Sequence, residues 1–125
     1  MIIDTDVLIW FFRGNEKAKA AVVDAMPFDI SIVTYMELVQ GMRNKRELEK
    51  MKKAFETMDV GLAMITEDIS VRAADYVERY SLSNSMELAD ALIASTCVEM
   101  GDVLLTANDK HYKVVGELEL RIFRS

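Results

Sequence analysis

The first nine residues are Met1-Ile2-Ile3-Asp4-Thr5-Asp6-Val7-Leu8-Ile9, a short apolar run that ends in two closely spaced acids. In open α/β sheets, the groups that bind ligands lie in the crevice beyond the carboxyl ends of the strands. An apolar strand that stops at Asp4 and Asp6 is therefore expected to carry both carboxylates into such a crevice. Whether this is an active site depends on which other acids join them.

Length and composition predict one globular domain over residues 1–125. Hydrophobic residues make up 51% of the chain and charged residues 29%, which is typical of a compact fold rather than a disordered one. The apolar stretch from Val7 to Phe12 is far shorter than the roughly 20 residues of a membrane-spanning helix, and the chain lacks the basic start of a signal peptide. Because Cys97 is the only cysteine, no intramolecular disulfide can form, and we expect a protein of the reducing cytoplasm.

The net charge of -6 argues against broad electrostatic attraction to nucleic acids or anionic membranes. One segment, the basic stretch from Arg43 to Lys53, has the opposite sign, with only Glu47 and Glu49 against six cations. Such a run is either a solvated helix face or a contact surface. Its cations are Arg43, Lys45, Arg46, Lys50, Lys52 and Lys53.

Short β-like runs alternate with amphipathic stretches, which predicts an α/β fold with a central parallel sheet of four or five strands between layers of helices. Strands are predicted over residues 1–4, 30–33, 61–65, 103–105 and 120–123. Helices are predicted over residues 17–26, 35–42, 47–58, 68–80 and 86–100, with Gly101 ending the last one.

Glu37 lies about one helical turn after the predicted strand over residues 30–33. It also has a structural interpretation, because Thr34 and Glu37 match the capping-box pattern in which a glutamate bonds back to the start of its helix. Taken alone, Glu37 is therefore predicted to be a helix cap.

Asp90 lies among apolar residues in a helix that is expected to be buried on most sides. Burying an unpaired carboxylate costs roughly several kcal/mol unless a cation or hydrogen bonds replace the lost contacts with water. A metal ion or a basic partner is therefore expected beside Asp90. The alternative is that Asp90 faces water on a narrow polar strip with Glu87, one turn earlier.

Thr106, Asn108 and Asp109 follow the predicted strand over residues 103–105. Asn108 or Asp109 could simply cap the next short helix. If the first and fourth strands are neighbours, however, the carboxyl ends of the strands bring four acids into one crevice. These acids are Asp4, Glu37, Asp90 and Asp109.

Four carboxylates in one crevice need compensating cations. Oxygen ligands suit Mg²⁺ or Mn²⁺, whereas the lone His111 and the lone Cys97 do not provide a zinc site. Bound metal ions of this kind generate hydroxide near neutral pH and stabilise displacement at phosphorus. Phosphodiester hydrolysis is therefore the leading hypothesis.

Four segments together resemble the PIN domain family, and within it the short VapC-type toxin ribonucleases. They are Ile2–Ile9, Thr34–Gly41, Ala89–Ala94 and Leu105–Asp109, in matching order and spacing. The resemblance implies a sheet in the order 3-2-1-4-5 and Mg²⁺ or Mn²⁺ held mainly by Asp4 and Asp90. It implies that Glu37 completes the metal shell or positions water and that Asp109 is a more variable fourth acid. Residues implied to support the site are Thr5, Asp6, Thr106 and Asn108.

The same resemblance implies a homodimer that cleaves RNA until a cognate antitoxin inserts a segment into the groove and blocks the metal site. The basic stretch then becomes a hypothetical contact for RNA or for the antitoxin.

Two alternatives remain. Asp4 and Asp6 after an apolar strand also resemble the haloacid-dehalogenase-type phosphatases, although Leu8 stands where that motif has Thr or Val. The non-enzymatic alternative is a PIN-like binding module that binds metal too weakly for turnover and serves in a repressor complex with its antitoxin.

Overall fold

The computed structural model describes residues 1–125 and is built on a five-stranded parallel sheet in the order β3-β2-β1-β4-β5. This confirms the predicted class and strand order. The strands are β1 (Ile2–Ile3), β2 (Asp29–Ser31), β3 (Gly61–Ala63), β4 (Val103–Thr106) and β5 (Glu119–Ile122).

Seven helices connect these strands. Four predicted helices, over residues 17–26, 47–58, 68–80 and 86–100, are confirmed with ends that differ by no more than about four residues. The helices are α1 (Thr5–Phe12), α2 (Glu16–Ala25), α3 (Ile32–Gln40), α4 (Lys45–Thr57), α5 (Glu67–Asn84), α6 (Leu88–Met100) and α7 (Asp109–Tyr112). As predicted, α6 ends at Gly101, whose φ of 63° is left-handed.

Helix α1 was not predicted from the sequence. Its start is fixed by Asp4, whose side chain accepts a hydrogen bond from the Thr5 backbone N–H. Val7 and Leu8 are fully buried, while Ile9 and Trp10 are each 38% exposed. Because apolar residues surround this helix on all sides, it lacks the polar stripe by which an amphipathic helix is recognised.

The start of α3 also differs from the prediction. The strand ends at Ser31 rather than residue 33, and the Ser31 hydroxyl caps the helix by accepting from the Val33 backbone N–H at 3.0 Å. Thr34 and Glu37 therefore lie inside α3. The capping-box interpretation of these two residues is wrong.

Side chains of the central strands alternate between the two faces of the sheet. Ile2 and Leu104 belong to a buried cluster with Ile93 of α6, whereas Ile3 and Leu105 belong to a second cluster with Val7 of α1. Helices therefore cover the sheet on both sides, as expected. Cys97 is fully buried in the first cluster.

The register between β1 and β4 determines what meets at the carboxyl edge. Ile3 pairs with Leu105, and the Asp4 backbone N–H donates to the Leu105 carbonyl at 2.9 Å. Asp4 consequently lies next to Thr106. None of the seven helices is both long and apolar enough to cross a membrane.

Candidate active site

Asp4 is a buried acid at the join between β1 and α1. Its Oδ1 accepts from the Thr5 backbone N–H at 2.8 Å, and its Oδ2 accepts from the Thr106 hydroxyl at 2.8 Å. The residue is only 5% exposed. Burial, followed by the charge of neighbouring Asp6, raises the pKa of Asp4 to about 7.

Asp6 extends from the first turn of α1 to the end of β4. Its Oδ1 accepts from the Val7 backbone N–H at 2.7 Å and its Oδ2 from the Ala107 backbone N–H at 3.1 Å. Burial raises the pKa of Asp6, and the charge of Asp90 acts in the same direction. Asp4, Asp6 and Asp90 thus form one electrostatically coupled group.

Asp90, in the first turn of α6, is held mainly by the short helix α7. Its Oδ2 lies 3.0 Å from His111 Nδ1, and its Oδ1 accepts from the Tyr112 hydroxyl at 3.3 Å. Its side chain is 19% exposed, whereas Glu87 is exposed and donates its backbone N–H to Asp90 Oδ2 at 3.3 Å. The alternative of a shared solvent-facing strip with Glu87 therefore does not hold, and the basic partner expected beside Asp90 is His111.

Glu37 is connected to this group through Thr5. The Thr5 hydroxyl donates to Glu37 Oε1 at 2.7 Å and lies 3.1 Å from the hydroxyl of the fully buried Thr34. Since the Thr5 backbone N–H also bonds Asp4, one residue holds two of the predicted acids.

Asp109 has a different partner. Its Oδ1 lies 3.2 Å from Arg124 Nη2, and this hydrogen bond and charge lower the pKa of Asp109. Asn108 precedes α7 without a capping bond from its side chain; its Nδ2 lies 3.3 Å from His111 Nδ1, and its backbone N–H donates to Thr106 Oγ1 at 3.0 Å. Asp109 therefore has Arg124 as its partner and forms no hydrogen bond that links it to the other acids.

Asp90 contacts His111 and Asp109 pairs with Arg124, but the other three acids have no basic partner. No ion pair joins Lys or Arg to Asp4, Asp6 or Glu37. In this arrangement no three His, Cys, Asp or Glu side chains approach closely enough to hold a metal ion. Hydroxyl groups bridge the acids instead.

Tyr112 belongs to the site but was not predicted from the sequence. Its hydroxyl donates to Asp90 Oδ1 at 3.3 Å. Burial, and then the charges of Asp4 and Asp90, raise the pKa of this phenol well above its usual range. An isolated aromatic residue in the sequence gives no signal of such a contact.

A family model described as "PIN domain" matches residues 1–118. The chain belongs to the PIN domain family. This confirms the resemblance carried by the four sequence segments, and it favours this family over the phosphatase alternative.

Known relatives of this PIN domain match it over more than nine tenths of its length. Ribonuclease VapC19 of Mycobacterium tuberculosis is 27% identical over 123 residues, which cover 94% of this chain and 96% of the relative. A chain of a toxin-antitoxin complex from Klebsiella pneumoniae is also 27% identical, with a TM-score of 0.78 over 94% of this chain and 93% of that one.

The fold recurs at lower identity. A chain of VapBC2 from Rickettsia felis, solved bound to a DNA fragment from its promoter, has a TM-score of 0.82 at 14% identity and covers 98% of both chains. At that identity the likeness concerns the fold alone.

Proposed function

We propose that residues 1–125 act as one PIN domain, a metal-dependent endoribonuclease that hydrolyses RNA phosphodiester bonds as the toxin of a toxin-antitoxin pair. The observation that carries this proposal is the coupled group of Asp4, Asp6 and Asp90 at the carboxyl edge of a PIN-domain sheet, without a Lys or Arg partner. The name of the M. tuberculosis relative, a ribonuclease, supports the reaction. The Klebsiella complex supports the kind of partner.

The chemistry of the donor set fits a hard divalent cation. Every candidate ligand is a carboxylate oxygen, which suits Mg²⁺ or Mn²⁺. A cation would offset the burial, and the smaller repulsion from neighbouring acids, that raise the pKa of Asp4 and Asp6. Asp4 and Asp90 would hold the ion. Glu37 would complete the shell or position water, and Asp109 would serve as a more variable fourth acid. When bound, the cation supplies hydroxide near neutral pH and stabilises charge at phosphorus.

The residues of the chain prepare this chemistry by fixing the acids. The Thr5 backbone N–H and the Thr106 hydroxyl each hold one oxygen of Asp4. The Thr5 hydroxyl occupies Glu37 Oε1, so Oε2 is left to accept a proton from an attacking water. Asp6 bonds the Ala107 backbone N–H, which ties α1 to the end of β4 and keeps the two strand ends together.

The basic stretch is the surface we propose for contact with RNA or the antitoxin. All six of its cations are exposed. Arg43 lines a depression of about 560 Å³ that also contains Glu37, and Arg43 and Lys50 both line an adjoining one of about 580 Å³. The basic stretch therefore borders a path that leads to the acid site, on which a phosphate backbone or an acidic segment would find counter-charges.

We further propose that the protein acts in the cytoplasm as a homodimer, with RNA as its substrate and a cognate antitoxin as its inhibitor. A PIN-like binding module without turnover is the alternative to this account. It predicts a repressor complex with the antitoxin but no metal-dependent cleavage.

The test is cleavage of labelled total RNA by antitoxin-free protein with Mn²⁺. We expect discrete products that disappear with EDTA and with Asp90→Asn. Asp75→Asn is the matched control, because Asp75 is an exposed acid on α5 paired with Arg79, and it should cleave like the wild type. Folded protein that binds its antitoxin but cuts no RNA would support the binding module.

A further inference from the structure

Tyr112 is the last residue of α7, and its ring is 1% exposed. It packs in the buried cluster that contains Ile93, Ala94 and Leu104. Its position is therefore fixed by the core, on the side of the sheet where α6 lies.

The polar end of this fixed ring points at the site. The hydroxyl donates to Asp90 Oδ1 at 3.3 Å, and burial, followed by the negative charge of Asp4, raises the pKa of the phenol. The preceding residue, His111, contacts the other oxygen of Asp90 at 3.0 Å. One turn of helix thus contacts both oxygens of Asp90.

A phenylalanine would fill the same apolar space without a donor. The hydroxyl is thus the only part of Tyr112 that packing does not explain. A carboxylate oxygen has more than one lone pair, so it can accept from a phenol and still bind a cation. Groups that hydrogen-bond metal ligands from outside orient those ligands and tune metal affinity.

We propose that Tyr112 is a positioning residue that holds the Asp90 carboxylate in the orientation that binds the divalent cation. This inference rests on the proposed function, since it requires that Asp90 bind metal. It assigns to α7 the task of aligning a ligand that comes from α6.

The test is Mn²⁺ binding by calorimetry to the wild type and to Tyr112→Phe. We expect Tyr112→Phe to bind Mn²⁺ about 10- to 100-fold more weakly, and a high Mn²⁺ concentration to restore RNA cleavage to within a few-fold of the wild-type rate. Tyr76→Phe is the matched control. It also removes a buried phenol, here one bonded to Glu117 at 2.5 Å, and should bind Mn²⁺ like the wild type.

The outcomes separate the two proposals. Wild-type affinity in Tyr112→Phe, or tighter binding, would overturn the role of Tyr112 while leaving the metal site intact. Equal losses in Tyr112→Phe and Tyr76→Phe would also overturn it, because general loosening of the core would then explain both. Absence of Mn²⁺ binding by the wild type would overturn the proposed metal site and this inference together.

Discussion

The buried carboxylate of Asp4 belongs to the proposed site, and its negative charge destabilises the metal-free fold. Asp4 is nearly fully buried, accepts two hydrogen bonds, and has a pKa of about 7. Because the folded state binds this proton more tightly than the unfolded state does, Asp4 stabilises the metal-free fold most below about pH 4. That contribution is lost as the pH rises towards 7.

Asp4→Asn removes the free-energy cost of burying this carboxylate in its charged form. With EDTA present at pH 8, we expect the variant to exceed the wild type in free energy of unfolding by up to about 4 kcal/mol, because the pKa of Asp4 is raised from 3.8 to about 7 and each unit corresponds to about 1.4 kcal/mol. The gain should vanish near pH 4, and RNA cleavage should be lost at every pH. Denaturant unfolding of both proteins at the two pH values measures the difference.

Asp102→Asn provides the contrast, because Asp102 forms an ion pair with the Met1 amino group at 2.8 Å. This variant should be less stable than the wild type at pH 8. Equal destabilisation by Asp4→Asn would contradict the account of Asp4 as an uncompensated buried charge.

The sequence identifies individual acids better than it identifies their partners. Asp4 and Asp90 are recognisable because a carboxylate amid apolar residues is costly. The bond from Thr5 to Glu37 and the one from Tyr112 to Asp90 join residues 32 and 22 positions apart, and no local pattern encodes them. The sequence also does not reveal the contact between Asp109 and Arg124, because that contact depends on the pairing of β5 with β4. Asp109 was therefore predicted to join the other acids.

Helices with a strong hydrophobic periodicity were predicted correctly from the sequence. Helix α4 buries Met51 and Phe55 on one side and exposes its cations on the other, so its pattern shows in the sequence. Helix α1 is apolar all round, and β2 ends at Ser31, two residues before the predicted end of that strand, because Ser31 supplies the cap of α3. Caps and fully apolar helices depend on tertiary contacts that periodicity does not report.

The exposed cations of α4 are predicted to contribute to RNA binding. The triple variant K50E/K52E/K53E should bind RNA at least about 10-fold more weakly at low salt and flatten the dependence of log affinity on log salt by about 2, the slope expected for three lost phosphate contacts. Filter binding at several salt concentrations, with catalysis blocked by EDTA, measures both.

A second triple variant controls for net charge. K17E/R79E/R121E changes three exposed cations outside α4 and alters the total charge equally. If both variants weaken RNA binding alike, only the overall charge matters. If neither weakens it, and antitoxin binding is also unchanged, the basic stretch has no contact role.

The whole molecule presents an apolar groove of about 730 Å³ beside the acid site. Met36, Ile65 and Leu88, which are 48%, 38% and 69% exposed, line it together with Glu37. Contiguous exposed apolar surface of this kind marks an interaction site. A second copy of the chain is the occupant we predict, in line with the expected homodimer.

Sedimentation should then give twice the 14.2 kDa mass of one chain. Leu88→Glu should give a monomer because it buries a charge in the interface. Leu82→Glu should remain dimeric, since Leu82 is 98% exposed and lies outside the groove. A monomeric wild type at tens of micromolar, roughly the range of a weak specific interface, would contradict the dimer.

The central proposal is that the acid site would hold a divalent cation and that RNA is cleaved by water attacking at phosphorus. The most direct measurement is a single-turnover cleavage of an RNA substrate in ¹⁸O-labelled water with Mn²⁺, followed by mass spectrometry of the new ends. We expect the new terminal phosphate to carry one ¹⁸O atom if water attacks the phosphorus. An unlabelled 2′,3′-cyclic phosphate would mean that the ribose 2′-hydroxyl attacked instead, and it would contradict metal-assisted hydrolysis at this site.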